Sequence, residues 1–449
     1  MKPITLKEIA NSCCGELCGD GNITVTSIVT DSRQVENGSL FAAIKGERVD
    51  GHKFIAQTIE SGAVCALVEE KPQCECNYIL VDSTLVALKQ IAEYYRSLFT
   101  IPFIGITGSV GKTSTKEMIF AVLSQKFNVH KTMGNFNNEL GVPLTLFKLE
   151  EDHEIAVIEM GISDFSEMTR LSKMVKPDMS VITNIGSCHL ENLIDRDGVL
   201  KAKTEMLQYL SDNGKMFFCG DDDKLITVKE HNGIKTTFYG FGDHNEYKAE
   251  IINTDLDKGI QCKLYLKNGV VEATVPSIES HMVANALCAA AIGETLGMTP
   301  HEIKCGVESY KTVGSRSNII RNKTLTIIDD CYNANPTSVR ASIDTLAKFS
   351  GTKVAVIGDM KELGVNENIL HFETGTYIIK KDIDIVIAVG QLARHLFEGA
   401  DKNGYYFETV DECVKNIGDI INEGDTVLVK ASHSMHFEKI VDNLKEIFQ

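Results

Sequence analysis

The stretch Gly105-Ile-Thr-Gly-Ser-Val-Gly-Lys-Thr-Ser114 constrains this chain more than any other. Residues 101–106 form a mostly apolar run that reads as a buried strand. Glycines sit at 105, 108 and 111, Lys112 and Thr113 follow, and a helical pattern starts near Thr115. A glycine-rich turn from strand to helix points successive backbone N–H groups at one spot, and the helix N-terminus adds the positive end of its dipole. Gly108, Ser109, Gly111 and Ser114 then line a phosphate cradle. Lys112 reaches the β- and γ-phosphates, and the Thr113 hydroxyl is placed to ligate Mg²⁺. The strict eight-residue pattern wants glycine at 106, where this chain has Ile106, so the loop is a variant. Its message is a parallel-sheet unit that handles ATP or GTP.

A chain of 449 residues has room for about three domains. Apolar content of 43% and charged content of 24% suit folded cores. The net charge of −17 disfavours binding to nucleic acid or an anionic membrane, so any anionic substrate needs a local basic site. Thirteen cysteines show no repeated Cys-x-x-Cys spacing, which predicts free thiols in a reducing compartment and no zinc site. The first residues lack a signal-peptide apolar core, and no apolar run approaches the ~20 residues of a membrane span. A cytoplasmic monomer is expected.

Short strand candidates at 23–30, 40–44, 64–68 and 78–81, with a helix over 84–98, outline a small N-terminal α/β domain, 1–98. From 99 to 312 strands alternate with helices, at 103–107, 155–160, 180–185 and 216–219, the signature of parallel βαβ units. A helix is expected over 199–210. Within that block 235–276 reads as an antiparallel patch with a Lys267-Asn-Gly269 turn, and a long helix over 281–296 follows. A third alternating block, 313–449, has strands at 325–329, 354–357, 385–389 and 427–430. A helix opens there at Asn335-Pro336, with Asn as cap and Pro in the first turn. The expected fold is α/β with three domains: small N-terminal α/β, central phosphate-loop parallel sheet, and a C-terminal Rossmann-like unit.

Open parallel sheets bind ligands past the carboxyl ends of their strands. Glu159 and His189 leave neighbouring strand ends beside the phosphate loop and suit divalent-metal coordination. Either alone reads equally well as a cap or a satisfied loop residue. Lys201 and Lys203 read as a solvated helix face. The loop Gly134-Asn-Phe-Asn-Asn-Glu-Leu-Gly141, with Asn135 and Asn138, offers uncharged donors and acceptors for a polar ligand. Asp329-Asp-Cys-Tyr-Asn-Ala-Asn-Pro336 places Asp330 and Asn333 for ribose, phosphate or base.

These strings, with Ile-Thr-Asn-Ile-Gly-x-x-His-Leu-Glu and Gly358-Asp-Met-Lys-Glu-Leu-Gly364, occur in one order. Together they closely resemble the Mur ligase family. Within it the chain looks most like the branch that adds D-alanyl-D-alanine to UDP-N-acetylmuramoyl-tripeptide. The resemblance implies ATP-dependent amide synthesis: a substrate carboxylate takes the γ-phosphoryl group, and an amine displaces phosphate from the acyl phosphate. By resemblance, Thr113 and Glu159 ligate one Mg²⁺, His189 a second, and Lys203 falls where the family carries a carbamylated lysine. Asn285 resembles the adenine contact, Asp330 the ribose contact and Arg316 the phosphate-reaching arginine. Ser32 and Arg33 fall where the first domain holds the UDP end. Two departures stand out: Met282 replaces an Asn beside His281, and His433 stands where the family shows Arg. Imidazole does not reproduce a guanidinium fork. A folylpolyglutamate-type ligase and a nucleotide-dependent switch are the competing readings.

Overall fold

The computed structural model describes residues 1–448 apart from 47, 48, 323 and 402. Among the described residues three large sheets follow one another along the chain. The first runs in the order Glu16–Cys18, Tyr78–Leu80, Cys65–Val68, Ser39–Ala42, Ser27–Val29, with only its first strand antiparallel. Its covering helix, Thr84–Ser97, is capped by Ser83 and buries Ala87, Leu88, Ile91 and Tyr95 at helical spacing.

The central sheet is built on Phe103–Thr107, a strand buried at every position. Ile155–Glu159 pairs with it on one side and Met179–Ile182 on the other, both parallel. Glu159 and His189 therefore leave strands that flank the phosphate-loop strand, which lies between them; the expectation of adjacent strands needs that correction. The antiparallel patch is present as Tyr247–Asp255, Gly259–Leu266 and Gly269–Val275, joined to the central sheet through Ile234–Gly240. The apolar helix His281–Thr295 packs against the phosphate-loop helix Lys112–Leu123. The helix expected over 199–210 starts earlier, at Arg196, where Asp195 caps it, and tightens into a 3₁₀ turn at Glu205–Tyr209.

The third sheet runs Asn318–Arg321, Thr326–Asp329, Thr426–Lys430, Lys353–Gly358, Ile385–Val389, Gly404–Phe407, parallel except at its first strand. Asn335 caps Pro336–Leu346 by accepting from Ser338 N, with Pro in the first turn. The edge strands Val129–Lys131, Asn318–Arg321 and Gly404–Phe407, absent from the expected set, are only three or four residues long, too short to show a period. All thirteen cysteines are free. Among the described residues no helix is long and apolar enough to cross a membrane.

Candidate active site

The phosphate loop is held from both sides. Gly108 has φ 151°, and a Cβ there would lie 1.9 Å from Thr183 Oγ1, so no side chain fits. Gly111, at φ 81°, turns the chain into the helix that starts at Lys112. Ser109 N donates to Asn184 O and Val110 N to Asn184 Oδ1, while Gly186 N donates to Ser109 Oγ. The loop is thereby pinned to the end of the neighbouring strand before any ligand arrives. Lys112 Nζ arches back to Gly108 O at 2.9 Å.

Behind the loop, Glu159 is buried at the end of its strand. Thr113 Oγ1 donates to its carboxylate at 2.9 and 3.1 Å, and Asn137 Nδ2 donates at 2.8 Å. Hard divalent cations such as Mg²⁺ take few protein oxygens and fill the remaining positions with water and phosphate. The Thr113 hydroxyl and Glu159 carboxylate, side by side next to a phosphate cradle, fit that requirement.

One cavity of about 560 Å³ joins this wall to the third sheet. Asn285 lines it, its Oδ1 accepting from Thr115 and its Nδ2 donating to the Met282 thioether. Met282 thus serves as a weak acceptor for that amide. Across the cavity Asp330 Oδ2 meets Lys430 Nζ at 2.5 Å and accepts from Ser342 Oγ at 2.6 Å, and its Oδ1 accepts from Ser317 N. Arg316 lies over the Tyr332 ring at 3.6 Å, and His433 packs against that same ring. Asn333 lines the wall.

His189 also lines the cavity, but its Nδ1 is 2.6 Å from Glu362 Oε2 of the third sheet's loops, without hydrogen-bond alignment. The imidazole holds the Glu362 carboxyl below its usual range. Lys203 is fully buried and outside the cavity wall, which removes the solvated-face reading. Desolvation draws its ammonium down to about 8, and Lys112 acts in the same direction. An ammonium cannot ligate a cation, so Lys203 in this unmodified form holds no second metal ion.

Of the asparagine loop, Asn138 and Asn137 reach the cavity and the exposed Asn135 does not. Ser32 and Arg33 lie on a turn of the first unit, away from the cavity, where Asp31 accepts from Arg33 Nε and Nη2. Lys430, Tyr332 and Glu279 line the cavity and were not singled out in the sequence. Lys430 ends a strand of apolar residues, a position where a lone lysine is a usable signal.

Comparison with known proteins accounts for this arrangement. Three family models match in succession: the Mur ligase family catalytic domain over residues 24–106, the Mur ligase middle domain over 106–293, and the Mur ligase glutamate ligase domain over 315–433. The chain is 37% identical to the UDP-N-acetylmuramoyl-tripeptide–D-alanyl-D-alanine ligase of Bacillus subtilis, with 98% of each covered. Its fold matches the crystal structure of MurF from Acinetobacter baumannii with a TM-score of 0.94 and 32% identity, over 99% of both chains. The MurF ligase of Thermotoga maritima in complex with ADP matches with a TM-score of 0.84 and 28% identity, over 94% of this chain and 97% of that one. Three family models in sequence order, and relatives of this identity along nearly its whole length, mean that the chain belongs to the Mur ligase family.

Proposed function

We propose that this protein joins D-alanyl-D-alanine to UDP-N-acetylmuramoyl-tripeptide, forming ADP and phosphate, in peptidoglycan precursor synthesis. The carrying observation is the single cavity in which Lys112, Thr113 and Glu159 face Arg316 and Asp330 from another sheet. A nucleotide spanning it meets basic and acidic groups suited to phosphates and ribose. The tripeptide carboxylate attacks the γ-phosphorus, and ADP leaves. The dipeptide amine then attacks the acyl carbon, expelling phosphate. Both reacting partners of the first step are anionic, so charge neutralisation dominates, and Lys112 and Arg316 supply it from the protein. Mg²⁺ held by Thr113 and Glu159 adds neutralisation when bound. His189 and a carbamylated Lys203 would hold a second ion.

The depressed ammonium of Lys203 supports that modification, because the neutral amine is the form that adds CO₂, releasing one proton. Residues 1–98, with Ser32 and Arg33, hold the UDP end; 99–312, with Asn135 and Asn138 near the tripeptide, bind ATP; and 313–449 receive the dipeptide. The protein works as a cytoplasmic monomer.

Coupled ADP release tests the reading. Turnover should require both UDP-N-acetylmuramoyl-tripeptide and D-alanyl-D-alanine. Turnover with glutamate and a folate, but not with these, would favour a folylpolyglutamate-type ligase. ADP release indifferent to any amine would end the ligase reading.

A further inference from the structure

One turn beyond Lys112 and Thr113, the phosphate-loop helix carries Lys116, whose side chain has no solvent exposure. Its Nζ lies 3.3 Å from Glu117 Oε1 and 3.4 Å from Glu159 Oε2, and it makes no aligned hydrogen bond. A buried ammonium held by charge alone is an unfavourable way to fill a core. A methionine of the same length would pack there with no desolvation cost. Glu117 does not need the charge, because its other oxygen is bonded by Lys131, whose ammonium also rests on the Phe120 ring. Among the described residues Lys116 is therefore the cation that lies against Glu159. The remaining partners of that carboxylate, Thr113 and Asn137, are neutral.

We propose that Lys116 is a positioning residue, an internal counter-cation that holds the Glu159 carboxylate in place before the divalent ion arrives. It also opposes that ion once it arrives. The ammonium lies against the carboxylate that the ion would use, and like charges that close repel strongly in a water-poor interior. The wall by itself then holds a divalent ion weakly. Nucleotide phosphates on the Lys112 side tip the balance, so the ion enters and leaves with the nucleotide. The inference rests on the metal role proposed for Glu159.

Mn²⁺ binding to the nucleotide-free full-length protein, read by electron paramagnetic resonance, tests it. Lys116→Met should bind Mn²⁺ at least about tenfold tighter than the parent, and Glu159→Gln should bind it more weakly. A lysine that only filled space could lower affinity on replacement but would not raise it. If Lys116→Met proves too unstable, the double change Lys116→Met with Glu117→Gln removes one charge of each sign and should still tighten Mn²⁺ binding relative to Glu117→Gln alone. Unchanged or weaker Mn²⁺ binding by a folded variant overturns the inference. Unchanged binding by Glu159→Gln removes the metal role of Glu159 and overturns the inference with it.

Discussion

The two seams between the three sheet units are built from opposite materials. Between the first and the central unit the hydrophobic core is continuous: Ile91, Tyr95 and Phe99 share one cluster with Phe147, Leu149 and Leu171. Tyr95 is fully buried, and its hydroxyl donates to Leu149 O and accepts from Lys2 N. Arg96 closes the seam, donating to Val175 O, Lys176 O and Phe99 O while its guanidinium lies over the Phe103 ring. Between the central and third units no cluster is shared among the described residues; the third unit's cores contain its own side chains alone. Polar contacts cross instead: Ser317 Oγ to Glu279, Lys348 Nζ to Ile278 O, Arg321 to Leu256 O, and His189 against Glu362. Apolar burial has no substitute partner, whereas polar contacts exchange readily for water or substrate. The first seam fixes two units as one platform. The second, with the cavity inside it, is held by contacts of the kind that water or a ligand can replace, and that is the seam at which closure around ligands is to be tested.

The comparison predicts that changes at the second seam remove turnover and changes at the first remove stability. Lys112→Ala should lower kcat by about 10³-fold or more with little movement of the unfolding midpoint. Activity within tenfold of the parent would take Lys112 out of the chemistry. Tyr95→Ala should cost about 4 kcal/mol by urea unfolding, since it empties a packed aromatic site and strands a carbonyl. A loss below ~1 kcal/mol would mean that the first seam is not a shared core.

Lys203 gives an intermediate case inside the central unit. Its folded-state value of about 8 lies below the ordinary 10.5. Between those values the unfolded chain binds more protons, so stability rises with pH across that window and the full penalty persists below it. Lys203→Met should stabilise the unmodified fold near neutral pH, by up to about 3 kcal/mol, and flatten the rise. In Lys203→Ala, which leaves room at the site, turnover should collapse and return in part with short carboxylic acids. A parent protein with flat stability between pH 8 and 10.5 and no carbamate by mass would remove both halves of the argument.

Legibility in the sequence divides along the same line. The strand Phe103–Thr107, the glycine turn and the Asn335 cap are local, and residue order states them directly. Lys203 reads as solvated by its charge alone, yet it sits on the one buried face of its helix with Val199 and Ala202, while Asp197 and Lys201 stay exposed. Lys430 joins Asp330 only because Thr326–Asp329 pairs in parallel with Thr426–Lys430, bringing together residues 100 positions apart. Asn137 and Asn135 are equivalent by composition, and only the fold of their loop directs one of them to Glu159. Lys116 carries no signal in the sequence that separates it from a surface lysine.

Glu362→Gln should be the mildest change and the sharpest test of the second seam. Glu362 is more than half exposed, and its partner His189 approaches it without hydrogen-bond alignment. Exposed pairs of this kind contribute at most about 1 kcal/mol, so the urea midpoint should hardly move. That same ~1 kcal/mol, applied to an open–closed equilibrium, changes the ratio about fivefold. Small-angle scattering of the ligand-free protein should show a larger radius of gyration for the variant, and saturating nucleotide should bring the two proteins together. An unfolding midpoint lowered as far as that of Tyr95→Ala would make the second seam as structural as the first. An unchanged midpoint with unchanged scattering would mean that other polar contacts hold the seam, with Ser317–Glu279 the next pair to cut.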